Sequence, residues 1–179
     1  MSTLFFDVDT QIDFLYPAGA LYVPGAEFIV PAIARLNRYA KERGIPLLST
    51  LDTHTENDPE FAAHGFPAHC VRGTAGWNKP SATMVGQTLF EKNTFDAFQN
   101  PDLARWVAGL SPQRVVVYGV VTEICVAGAV RGLLHALPGV SVELVTDAVM
   151  ALNGEAAREF LAWLESQGGR LTTADSVCV

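Results

Sequence analysis

The chain has 179 residues, 49% of them apolar and 17% charged, with a formal net charge of −7. That balance, without any basic run, excludes a nucleic-acid footprint or docking to an anionic membrane surface. Three cysteines with no CxxC pair argue against a disulfide framework or a cysteine-rich zinc cluster. No apolar stretch is long enough to cross a bilayer, and MSTLFFDVDTQIDF lacks the basic region of a signal peptide. The expectation is one cytoplasmic domain over residues 1–179, whose high apolar content suits a covered sheet and a homo-oligomer acting on a small molecule.

In chain order, Leu4 to Val8 is a short apolar run that reads as a first strand, with Asp9 just past its end. The segment after it is rich in Gly and Pro and reads as a loop. A helix is predicted from about Ala26 to Arg43, with Phe28, Ile29, Ile33, Leu36 and Tyr39 on its apolar face and Gly44 as its stop. Ile45 to Leu51 is a second strand, followed by Asp52 and His54. From Thr55 to Val85 neither period is visible, and so long a loop inside a compact domain is usually functional. Thr88 to Glu91 reads as a third strand with Lys92 after it, and Pro101 to Leu110 as a helix.

Val115 to Tyr118 reads as a central strand, apolar on both faces, which Gly119 ends. The pattern turns helical from Thr122, and Cys125 falls in the first turn, where unpaired amides and the helix dipole favour thiolate. A small apolar filler is the alternative for such a cysteine. A strand at Val140 to Val145, an amphipathic helix at Glu155 to Gln167 and a short strand at Arg170 to Thr172 complete the reading. Alternating strands and helices predict an α/β fold, a three-layer α/β/α sandwich with a mostly parallel, doubly wound sheet. Such sheets bind ligands beyond the carboxyl ends of their strands. Asp9, Asp52 with His54, Lys92 and Cys125 each follow a different predicted strand, so the topology gathers them at one rim.

The chemistry of that rim is coherent. A thiol needs a base, and a leaving amine needs an acid; Asp9 can serve as both. Lys92 would stabilise ionised neighbours, and the helix start would offer amides to an oxyanion. In the polar loop, Asp52, His54, Glu60, His64 and His69 supply mixed oxygen and nitrogen donors that suit Zn²⁺, Mn²⁺ or Fe²⁺.

These residues resemble the isochorismatase-like cysteine hydrolases, and within them the nicotinamidase group. The resemblance runs through D-T-Q-I-D-F (Asp9 to Phe14), D-T-H (Asp52 to His54), F-P-A-H-C-V-R-G-T (Phe66 to Thr74), E-K-N-T-F-D-A-F (Glu91 to Phe98) and G-V-V-T-E-I-C-V (Gly119 to Val126). It implies a catalytic triad at Asp9, Lys92 and Cys125, a cis peptide before Val121, and an oxyanion hole from the amides of Val121 and Cys125. It further implies one divalent metal ion, Zn²⁺ foremost, on Asp52, His54 and His69 with Glu60 as fourth ligand and His64 as its competitor. A ring pocket at Phe14 and Phe66 and hydrolysis of nicotinamide to nicotinate and ammonia through a cysteine thioester complete the set.

Other readings are weaker. Asp7, Val8, Asp9 and Thr10 resemble the D-x-D opening of haloacid-dehalogenase-type phosphatases, but Asp147 is a single acid where that family clusters two, and Cys125 would be idle. A ureide or carbamoyl amidohydrolase would use the same triad and leave the His and Asp loop without work. A catalytically silent binding domain would have no use for intact Asp9, Lys92 and Cys125.

Overall fold

The structure is a computed structural model that describes residues 2–179. Its centre is a six-stranded sheet: β1 (Thr3–Val8), β2 (Leu47–Asp52), β3 (Thr88–Lys92), β4 (Arg114–Val120), β5 (Ser141–Met150) and β6 (Arg170–Thr172). Every pairing is parallel, in the spatial order β3-β2-β1-β4-β5-β6. The chain winds outward one way from β1 and the other way from β4, so the expected doubly wound topology is present. Its switch point lies between those two strands, where such sheets open a crevice at the carboxyl end.

Alternation within β1 builds the two layers. Phe5 packs with α1 (Ile12–Leu15) and α2 (Val30–Glu42) on one face, whereas Leu4, Phe6 and Val8 pack on the other with the helices that follow β3, β4 and β5. β4 is buried from Val115 to Val120, as a strand covered on both faces must be. Gly119 has φ +124°, and a Cβ there would lie 2.1 Å from the Val8 carbonyl oxygen. A side chain at this position would therefore wedge β4 from β1 directly beside Asp9.

Several boundaries differ from the sequence reading for local reasons. Ala26 to Ile29 form a 3₁₀ turn before α2, which leaves Phe28 79% exposed, off the apolar face assigned to it. The supposed loop from Thr55 to Val85 contains a short helix, α3 (Pro59–His64). It has an N-cap at Asp58, Pro at N1 and a left-handed C-cap at Gly65. Phe61 is its one buried residue, so it has capping signals without a periodicity to reveal it. The helix predicted from Thr122 opens as a π turn (Thr122–Val126) and becomes regular only over Ala127–Ala136. Among the described residues, no helix is long and apolar enough to cross a membrane.

Candidate active site

Four strand tips converge. Asp9 follows β1, Asp52 ends β2, Lys92 ends β3 beside it in register, and Cys125 lies in the π turn after β4. All four are buried. Lys92 Nζ lies 2.6 Å from Asp9 Oδ2, 3.3 Å from Asp52 Oδ1 and 3.6 Å from Cys125 Sγ. One ammonium thus touches every member of the set. Asp9 Oδ1 has no hydrogen-bond partner among the described residues.

The electrostatics follow from burial. Desolvation raises the Asp9 carboxyl above its usual range, against the pull of Lys92. Burial would lower Lys92, but Asp9, Cys125 and Asp52 outweigh it and hold the ammonium well above its ordinary value. The Cys125 thiol is pushed well up by burial; Lys92 opposes the shift, while Asp9 and Asp52 reinforce it. This corrects the thiolate expected from a helix start. Desolvation, with Asp9 and Asp52 adding to it, opposes the thiolate more than the amides of one turn favour it.

The histidines come in through the backbone. His54 bridges Val71: its amide donates to the Cys70 carbonyl and its carbonyl accepts from the Arg72 amide. That bridge carries His69 to Asp52. Nε2 of His54 lies 3.0 Å and Nε2 of His69 3.3 Å from Asp52 Oδ2. On the outward side, His69 Nδ1 lies 2.8 Å from the Pro67 carbonyl oxygen, and His54 Nδ1 faces Asp58 Oδ2 at 3.1 Å without hydrogen-bond geometry. Two imidazoles whose inner nitrogens meet a carboxylate form a group that could hold a metal ion. Burial would raise Asp52, but Lys92, His54 and His69 keep its carboxyl well below the usual range. Burial lowers His54, yet Asp52 and Asp58 raise it to about 9.

Glu60 lines the same cavity as Asp52 and His69, yet it groups with His54 and Asp58 rather than inside the three-residue cluster. His64 turns away, with its ring 4.9 Å from that of Phe95 and 5.9 Å from that of Phe66. Phe14 and Phe66 stand 5.5 and 5.9 Å from the His69 ring and line the cavity. Val121 lines it too, after a cis peptide bond between Val120 and Val121. The free space beside Cys125 is about 20 Å³, room for a water, so a ring substrate must displace wall side chains. No lysine or arginine is among the residues lining it.

Sequence reasoning gave no task to Gln11, Asp13 or Asp58. Gln11 clamps the Asp52 backbone, accepting from its amide at 2.7 Å and donating to its carbonyl at 2.8 Å. Asp13 accepts from the Cys70 amide at 2.7 Å, just after His69. Gln11 and Asp13 lie within the matched D-T-Q-I-D-F segment, and Asp58 stands before a proline as N-caps often do, so a signal was present for each.

Known proteins resemble the chain over most of its length. The pyrazinamidase of Pyrococcus horikoshii, solved in complex with zinc, superposes with a TM-score of 0.86 at 31% identity, covering 97% of this chain and 99% of that one. The nicotinamidase of Escherichia coli is 25% identical over 198 aligned positions, spanning 92% of this chain and 91% of its own. An Arabidopsis thaliana protein named as a probable inactive nicotinamidase is 25% identical over 158 positions, 83% of this chain and 80% of its own. Residues 3–176 match the isochorismatase domain, and the chain belongs to the isochorismatase family of hydrolases.

Proposed function

We propose that the chain is a metal-containing cysteine amidohydrolase that cleaves nicotinamide to nicotinate and ammonia, with Asp9, Lys92 and Cys125 as its catalytic residues. The observation that carries this reading is the single Lys92 ammonium in contact with Asp9, Cys125 and Asp52. It couples an acid, a thiol and a metal-ligand group in one desolvated space.

In the reaction, Asp9 takes the thiol proton and Cys125 Sγ bonds to the amide carbon. The carbonyl electron pair moves to oxygen, where the amides of Val121 and Cys125 hold it. The pair returns, the carbon–nitrogen bond breaks, and protonated Asp9 gives its proton to the leaving nitrogen, so ammonia departs and a thioester remains. Asp9 then takes a proton from water as its oxygen bonds to the thioester carbon, the carbon–sulfur bond breaks, and Asp9 returns that proton to Cys125 Sγ, so the acid leaves and the thiol is restored. A base buried enough to have a raised pKa suits this double duty. Asp52, His54 and His69 would hold the divalent ion, with Glu60 as fourth ligand; Zn²⁺ fits the donor set best, and Mn²⁺ and Fe²⁺ suit it as well. When bound, the ion supplies a Lewis-acid contact for a ring nitrogen or carbonyl of the substrate.

The cavity lining supports an uncharged aromatic amide. Phe14, Phe66, Phe95, Ile124 and Leu152 present apolar surface to the space beside Cys125. Ammonia release from nicotinamide, pyrazinamide and a panel of ureides, before and after chelation on protein of known metal content, tests the assignment. Nicotinamide turnover lost on chelation is expected; turnover of ureides alone would overturn it.

A further inference from the structure

Asp7 is buried and takes no part in the chemistry above, although sequence alone sets it two residues before Asp9 as a rival nucleophile. The structure turns it to the opposite layer. Its Oδ2 lies 2.9 Å from Lys79 Nζ and accepts from Ser49 Oγ at 2.8 Å and Asn37 Nδ2 at 3.0 Å. Its Oδ1 accepts from Thr10 Oγ1 at 2.7 Å. Lys79 Nζ also donates to Thr10 Oγ1. Lys79 and Asp7 are 1% and 0% exposed at their side chains. A buried ion pair of this kind is weak evidence for stability, and its cost invites a search for what it does.

What it holds is the turn that aims Asp9. Strand alternation would send Asp9 to the same side as Asp7. Instead Asp9 adopts φ +49°, a left-handed conformation uncommon for a residue with a side chain, and its carboxylate meets Lys92. The residue on one side of it in the chain is strand-paired Val8, opposite Gly119. On the other side is Thr10, whose hydroxyl is gripped by both halves of the ion pair.

We propose that the Asp7–Lys79 pair, acting through the Thr10 hydroxyl, is a positioning device that holds Asp9 in its left-handed turn so that the carboxylate reaches Cys125. The inference rests on the reading of Asp9 as the base. It makes Asp7, Thr10 and Lys79 positioning residues that touch no substrate.

The test reads two rates: alkylation of Cys125 by iodoacetamide, followed on its own peptide by mass spectrometry, and ammonia release from nicotinamide with kcat and KM separated. The variants are Lys79→Met, the double change Asp7→Leu with Lys79→Met, Thr10→Val and Thr10→Ser, with Asp9→Asn as reference. Removing both charges is expected to restore denaturant resistance lost in the single variant. Both rates should nevertheless stay down by about tenfold or more in the double variant and in Thr10→Val, with KM little changed, because a misplacement near 1 Å is enough. Thr10→Ser should recover them. If the double variant, or Thr10→Val where the charge changes do not fold, reacts at the parental rate, the pair only holds the fold and the inference fails. If Asp9→Asn itself alkylates at the parental rate, the assignment of Asp9 as base falls, and this inference with it.

Discussion

Two aspartates two residues apart on one strand each meet a buried lysine, and they are treated in opposite ways. Asp7 has both oxygens occupied, by Lys79, Ser49, Asn37 and Thr10. Asp9 shares Lys92 with Asp52 and leaves Oδ1 without a partner among the described residues. Backbone differs too, extended at Asp7 within β1 and left-handed at Asp9. A buried carboxylate with both oxygens engaged by donors is committed to holding structure. One with an oxygen left open beside a thiol is free to accept a proton. The same residue type, buried to the same depth, is thus divided between architecture and chemistry by its hydrogen-bond inventory.

The largest expected effect breaks the chemical half of that contrast alone. Cys125→Ala should lower ammonia release by about 10³-fold or more while circular dichroism and metal content are unchanged; retention of a tenth of parental turnover would remove the thioester route. Asp9→Asn should lower kcat by about 10²- to 10⁴-fold. Its stability should change little, because Asp52 remains 3.3 Å from Lys92 to balance the ammonium. Asp7→Asn should weigh stability more heavily, with kcat lowered by about tenfold as the Asp9 turn loosens. It leaves Lys79 buried with no carboxylate, and urea unfolding should report a loss of about 3–5 kcal/mol. Equal unfolding midpoints for the two variants would contradict the division drawn here.

A smaller effect concerns the metal-ligand group. Asp58→Ala removes the carboxylate facing His54 Nδ1 and should weaken metal binding by about 10- to 100-fold in calorimetric titration, with the imidazole still present. The smallest belongs to His64. Because its ring packs on Phe95 and Phe66 rather than on the Asp52 cluster, His64→Ala should leave metal affinity within error of the parent. A large loss there would return His64 to the ligand set in place of Glu60.

Much of the fold was legible because its signals are local. Each predicted strand and each long helix has a counterpart, since apolar runs and the 3.6-residue pattern report burial directly. α3 escaped because a helix with one buried residue has no period to read. The thiolate expectation at Cys125 failed because the dipole argument uses a few neighbouring amides, whereas burial by segments distant in sequence, reinforced by Asp9 and Asp52, raises the thiol. Asp7 fits a phosphatase-like opening in sequence because the letters D-x-D carry no record of which side of the strand each acid takes.

The sequence by itself determined the layers, the parallel sheet and the gathering of Asp9, Asp52, Lys92 and Cys125 at one rim, because strand order and strand ends follow from periodicity and handedness. Tertiary structure alone decided which of two aspartates is saturated and which is left open, and which histidines of the loop turn toward Asp52. Those choices depend on which groups from β2, α2 and the segment around Lys79 arrive at each carboxylate, and hydrogen-bond satisfaction is a property of neighbours in space, not of neighbours in the chain.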